Sequence, residues 1–201
     1  NMIGYEQKYR VTRELQLFAN NKISDVIIYT MQSNLHAVNR GLFVAERRKN
    51  LVLPANMNPR TEKLAMQLKA GGDEVQFIEA VLEYFRDEEF FYTLSPPLLG
   101  RHAMDDFLFE TRRGFCEHYA SAFVHLMRAG GIPARVVVGY QGGKINPVDD
   151  YMIVRQSDAH AWTEVWLSGR GWVRIDPTAA VSPDRIERGI ENAGVELARL
   201  P

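Results

Sequence analysis

The sequence predicts an α+β domain in which one amphipathic helix packs on an antiparallel sheet. Residues 117–129 carry apolar side chains at helical spacing and stop at Gly130-Gly131. After Pro133 the period changes: 134–140, 151–155, 161–167 and 171–175 are rich in β-branched and aromatic residues. Helices followed by a run of strands, rather than an alternation of the two, is the α+β pattern.

The composition suits such a domain. The 201 residues, 46% hydrophobic and 24% charged, are enough for one sizeable core with a small appendage. With 24 basic and 25 acidic residues the net charge is -1, which gives no electrostatic reason to expect a nucleic-acid partner. The one cysteine cannot form an internal disulfide, so the redox compartment stays open. No run of 18 apolar residues predicts a membrane-spanning helix in this chain.

In chain order, residues 1–58 read as a small β-rich lead-in, with strands over 9–15 and 25–31 on either side of a turn at Asn20-Asn21-Lys22. Pro54 and Asn58-Pro59 mark a break, and the core is expected over 59–190. A first helix places Leu64 and Leu68 four apart and stops at Gly71-Gly72. In the next, Asp73 and Gln76 make a capping box, and Val75, Ile78, Leu82 and Phe85 share a face. Residues 90–94 read as a short extended segment closed by Ser95-Pro96-Pro97, and 105–110 as a helical turn. The following helix carries Cys116 and buries Tyr119, Phe123 and Leu126 with Met127. Ser168-Gly169-Arg170-Gly171 is the turn of a hairpin between the last two strands. Ser182-Pro183-Asp184 predicts a final short helix to about residue 190, and 191–201 reads as a loose tail. No internal repeat is present.

Chemistry concentrates on three residues. Cys116 opens its helix, where unpaired N–H groups and the positive end of the dipole favour thiolate over thiol. Gly114 permits a close backbone approach, and Arg112-Arg113 add positive potential. Taken alone, the position also fits a small buried hydrophobe. Among five histidines, His36 and His102 fall in loops. His118 stands roughly 200° and His125 roughly 180° around the helix from the thiol, so neither shares its pocket. His160 remains, on a strand that places Trp162, Glu164 and Trp166 on the same face. If 161–167 and 171–175 form a hairpin, Asp176 returns level with the start of the first strand and lands beside His160. An Asp-Pro pair is also an ordinary turn-former. A cysteine, a histidine and an aspartate so arranged are the parts of a nucleophilic acyl-transfer site.

No metal or cofactor is expected. The chain has no His-Glu-x-x-His and no Cys-x-x-Cys. Asp105-Asp106 and Asp149-Asp150 sit in no calcium loop and read as solvated loop charges. Gly139 to Gly143 lacks a phosphate-loop ending.

Four blocks in order, Gly114-Phe115-Cys116-Glu117-His118-Tyr119-Ala120, Gly130-Gly131-Ile132-Pro133-Ala134-Arg135, Asp158-Ala159-His160-Ala161-Trp162 and Gly171-Trp172-Val173-Arg174-Ile175-Asp176-Pro177-Thr178, closely resemble the transglutaminase-like superfamily. The resemblance covers about 60–190. It implies the papain-like transglutaminase-core fold, with Cys116, His160 and Asp176 as the triad. It also implies a protein or peptide substrate, with a glutamine acyl donor and a lysine or other amine acceptor joined through a thioester. Peptidases, amidases, deamidases and catalytically inactive peptide-binding modules share the fold and stay open as alternatives. Family members with a tryptophan upstream of the cysteine use it at the oxyanion. This chain has none before Trp162, which leaves the Cys116 N–H, with Tyr92 as the candidate second donor. Trp162 and Trp172 either wall the site or pack the core, and Glu164 either binds the incoming amine or makes a structural salt bridge. The kin are bacterial membrane-anchored proteins, which implies the periplasmic face of the inner membrane, with tethering through segments absent from this chain.

Overall fold

A computed structural model describes residues 9–12, 17–28, 30, 32, 41–149 and 151–182. Its internal contacts divide the chain into two units, Asn1–Ala37 and Val38–Pro201. In the first, β1 (Tyr9–Val11) pairs antiparallel with β2 (Leu17–Ala19). Residues 25–28 carry no strand, and Val26 and Ile28 are almost fully exposed, contrary to the strand expected there. β-branched residues without a pairing edge do not make a strand on propensity alone.

The second unit begins with α1 (Val44–Lys49), which the sequence did not announce. α2 (Pro59–Lys69) has Pro at its first turn but no cap from its own Asn58 side chain. Its N-terminus is satisfied from afar by Asp105. One oxygen, Oδ1, accepts from the Thr61 N–H at 2.8 Å and the Thr61 hydroxyl at 2.6 Å, and Oδ2 accepts from the Arg60 N–H at 3.1 Å. Asp105 is 4% exposed, so its expected role as a solvated loop charge is corrected. α3 (Glu74–Asp87) starts with the expected capping box, Asp73 accepting from the N–H groups of Val75 and Gln76.

The chain then crosses β3 (Phe91–Tyr92) and α4 (Ala103–Asp105), which runs on into a π-helical turn over Asp106–Thr111. β4 (Arg113–Gly114) pairs in parallel with β3 directly before the long helix, α5 (Cys116–Ala129). Nine side chains of α5 are buried, which places it at the centre of the unit rather than on a face. Tyr119 meets Phe107 edge-on at 5.1 Å and Phe85 at 5.8 Å; such fully buried rings contribute about 1.5–3 kcal/mol each. Gly130 ends the helix against Phe77, where a Cβ would come within 2.2 Å of the ring.

β5 (Ala134–Tyr140) follows, then a small ladder of β6 (Lys144–Ile145) with β7 (Met152–Ile153), then β8 (Ala159–Leu167), β9 (Gly171–Ile175) and α6 (Thr178–Val181). The main sheet is three-stranded and antiparallel in the order β5-β8-β9, with Val138 opposite Ala161 and Thr163 opposite Ile175. Along β8 the odd-numbered residues 161, 163, 165 and 167 are buried, and α5 packs on this strand. The architecture is α+β, as the sequence predicts. The helix expected over 182–190 lies outside the described residues, apart from Ser182, which is not helical.

Candidate active site

Cys116 is the first residue of α5 and only 7% exposed. What precedes it is held tightly: Phe115 donates its N–H to the His118 ring, which packs against Phe107 and Phe115. A Cβ on Gly114 would fall 2.6 Å from that of His118, the close approach a glycine allows. His118 therefore turns away from the thiol, as the helical geometry requires.

The thiol borders one cleft with His160, Ala161 and Glu117, and the His160 ring and the backbone N–H groups of Ala161 and Glu117 favour its thiolate form. The Ala161 group is available because β9 ends at Ile175, opposite Thr163, leaving that side of β8 uncovered. Burial pushes the Cys116 thiol up, but these three donors and the His160 charge outweigh it and bring it below the ordinary value. Arg112 plays no part in this, being paired with Glu88 at 2.7 Å and set over Phe90.

His160 sits on β8, 6% exposed. Its Nε2 is 2.7 Å from Asp176 Oδ2. Burial pulls the imidazole down, yet the bond to Asp176 and the neighbouring Cys116 thiol raise it to about 9. The Asp176 carboxylate is held in turn: Oδ1 accepts from the Thr178 N–H at 3.2 Å and Oδ2 from Arg174 Nη2 at 3.2 Å. The hairpin thus delivers the contact its register implied. Trp162 stacks on His160, 6.2 Å between centroids and 23° between planes. Gly139 makes room for that ring, since a Cβ there would lie 2.8 Å from it.

The thiol and imidazole open onto a cleft of about 700 Å³, bordered by Tyr92, Leu94, Glu117, Val138, Tyr140 and Gln156. Its walls are mostly apolar, with one carboxylate, Glu117, at the border.

A model of the transglutaminase-like superfamily matches residues 62–177. The chain belongs to the transglutaminase-like superfamily. It is 51% identical over 148 residues to a protein from Pseudomonas aeruginosa named protein-glutamine gamma-glutamyltransferase, which covers 73% of this chain and 22% of that protein. It is 35% identical over 134 residues to the Bacillus subtilis protein YebA, across 63% of this chain and 18% of the relative. The chain therefore spans about a fifth of the length of these relatives. Among solved structures, the periplasmic domain of TgpA from Pseudomonas aeruginosa, bound to ethylmercury, superposes with a TM-score of 0.85 at 42% identity over 90% of this chain and 66% of that one. A second structure of that periplasmic domain gives 0.73 at 48% identity, over 76% of this chain and 53% of that one.

Within this transglutaminase-like core the remaining sequence candidates separate. Tyr92 borders the cleft, with its hydroxyl buried. Trp162 is not on the cleft wall and acts as the plate behind His160. Glu164 is bound to Arg135 at 2.7 Å, and Arg135 lies over Trp172 at 4.1 Å. Neither Glu164 nor Trp172 lines the cleft; with Arg135 they brace the face of the sheet that α5 does not cover. Two partners of Asp176 lie outside the sequence expectations: the Thr178 N–H, for which Asp176-Pro177-Thr178 carries the spacing of an Asx turn, and Arg174, two residues before Asp176 and so on the same face. Among the described residues no group of three or more His, Cys, Asp or Glu could hold a metal ion, and no helix is long and apolar enough to cross a membrane.

Proposed function

We propose that this domain is a Cys-His-Asp acyl transferase acting on carboxamides, a protein-glutamine γ-glutamyltransferase that works through a thioester. The observation that carries the reading is that Cys116 and His160 border the same cleft while the His160 ring is bonded to the buried Asp176 carboxylate at 2.7 Å. Asp176 occupies Nε2, so Nδ1 is the nitrogen that serves the thiol. A thiol made more acidic beside an imidazole made more basic favours the thiolate–imidazolium pair over the neutral pair.

The Cys116 thiolate attacks the carbonyl carbon of a glutamine side chain. The developing oxyanion is met by the Cys116 N–H, one of the donors at the helix start without an intrahelical partner. The C–N bond breaks as His160 protonates the nitrogen, ammonia leaves and the acyl group stays on sulfur. The neutral imidazole then takes a proton from an incoming lysine amine as that amine attacks. The C–S bond breaks, an isopeptide bond is released and the ion pair is restored. Water in place of the amine yields glutamate by the same steps. Asp176 keeps the ring oriented and supports its cationic form throughout.

The substrates are accordingly a polypeptide glutamine donor and an amine acceptor. The likeness to a periplasmic domain supports a place on the periplasmic side of a bacterial inner membrane, with this domain as one part of a larger protein. The test is amine incorporation into a glutamine-rich protein, with ammonia release in parallel, by the wild type and Cys116→Ala. The variant is expected to lose at least about a thousand-fold in both. Undiminished incorporation by Cys116→Ala would sink the mechanism, and ammonia release without incorporation would redefine the domain as a deamidase. Recovery of the intact protein from the cytosol would overturn the location.

A further inference from the structure

Arg174 touches both groups that decide where the His160 ring sits. Its Nη2 reaches Asp176 Oδ2 at 3.2 Å, the same oxygen that His160 holds at 2.7 Å. Its guanidinium lies over the Trp162 ring, 5.0 Å from the centroid, and that ring is stacked on His160. Gln141 Oε1 accepts from the same nitrogen at 3.5 Å, which ties the arrangement to the end of β5. The Arg174 side chain is about one-third exposed while that of Asp176 is 1% exposed, so the cation is the outer layer over a buried dyad.

We propose that Arg174 is a positioning residue of the acyl-transfer site: it shares the Asp176 carboxylate with His160, steadies the ring through Trp162, and its charge sets how firmly the imidazolium holds its proton. This rests on the acyl-transfer reading. A carboxylate shared between two cations stabilises each less than one it serves alone. Without Arg174 the full charge of Asp176 falls to His160, which then releases its proton to the leaving ammonia less readily.

The other charged and titratable groups around His160 are few. From α5 comes Cys116, and from the end of β9 come Asp176 and Arg174 themselves. Asp158, before β8, is engaged with the Arg155 N–H at 2.7 Å. β5 contributes the uncharged Gly139, Gln141 follows its end, and Tyr140 and Glu117 border the shared cleft.

The test compares Arg174→Met and Arg174→Lys with the wild type. The His160 ring is titrated by NMR, which needs no turnover, alongside kcat and KM for a glutamine donor and the thermal midpoint. Arg174→Met is expected to raise the His160 titration and the alkaline limb of kcat by about one pH unit. It should lower kcat about ten-fold while KM stays within about two-fold. Arg174→Lys should keep the limb in place and recover most of kcat. If Arg174→Met does not fold, Arg174→Gln, which drops the charge but keeps a polar contact, must give the same shift. An unmoved His160 titration, or a lysine variant no better than methionine, overturns the proposal whatever happens to the thermal midpoint. A wild type that neither releases ammonia nor incorporates amine would overturn the acyl-transfer reading instead, and the titration would still decide whether Arg174 governs the imidazolium.

Discussion

Asp105 and Asp176 are buried to the same degree, 4% exposed each, and each stands near a histidine that is 6% exposed. Asp105 spends its oxygens on the first turn of α2, and its charge reaches His125 only through space. Burial is the main cause acting on His125 and brings it below the ordinary value, and Nε2 has no hydrogen-bond partner among the described residues. Asp176 is in contact with His160 at 2.7 Å, and there the same degree of burial is overcome and the ring is raised to about 9. A buried acid near a buried histidine is thus no mark of a site. Contact between the two, and a cleft on the other side of the imidazole, make the difference.

The comparison breaks first at Asp176. Asp176→Asn keeps the size but removes the charge and turns the ring toward the wrong tautomer, so kcat/KM should fall roughly a thousand-fold or more. The alkaline limb of its pH profile should drop from about 9 toward the ordinary histidine value of 6.5. A profile that stays near 9 would mean that Asp176 is not what raises His160.

Asp105→Asn should do the reverse. Its amide cannot accept all three bonds from Arg60 and Thr61, so the unfolding free energy measured in urea should fall by about 2 kcal/mol. Turnover per folded molecule should stay within about two-fold. A large loss of turnover in fully folded protein would place Asp105 in the site after all.

The smallest effect is expected at His125. Its folded value is depressed, so its contribution to stability is present above 6.5 and is lost as pH falls through the lowered value. His125→Leu removes an unpartnered buried nitrogen, changing neutral stability by no more than about 1 kcal/mol and flattening the acid side of the stability profile. At the alkaline side the sign for His160 is opposite: its contribution is full below 6.5 and is lost as pH rises through about 9. The lowered Cys116 thiol works against that loss, since the native state gives up on sulfur the proton it gains on nitrogen. Thermal unfolding across the pH range, with and without His125, checks both signs.

Legibility in the sequence followed the range of the interaction. The α3 capping box, α5 with its apolar stripe and the β8–β9 hairpin were readable because their causes lie within a few residues, and the hairpin carried His160 to Asp176. Where the cause was distant, the reading failed or stayed silent. Asp105 caps a helix that begins 46 positions earlier, and Glu164 chooses Arg135 on the neighbouring strand rather than the cleft. The helical wheel put His125 on the side of α5 opposite the thiol, but could not tell that this side is also covered. Residues 25–28 had the composition of a strand and no edge to join.

The hairpin also says which length changes this site tolerates. His160 and Asp176 are 16 positions apart, but the count that matters runs only along the paired residues, from Thr163 opposite Ile175 to Leu167 opposite Gly171. An insertion confined to Ser168–Arg170 lengthens the turn and leaves that register alone. One residue added between Ala161 and Leu167, or between Gly171 and Ile175, turns the distal side chains to the opposite face of the sheet. Variants that lengthen the turn should therefore keep the His160–Asp176 pair, while a single insertion within either strand should part it.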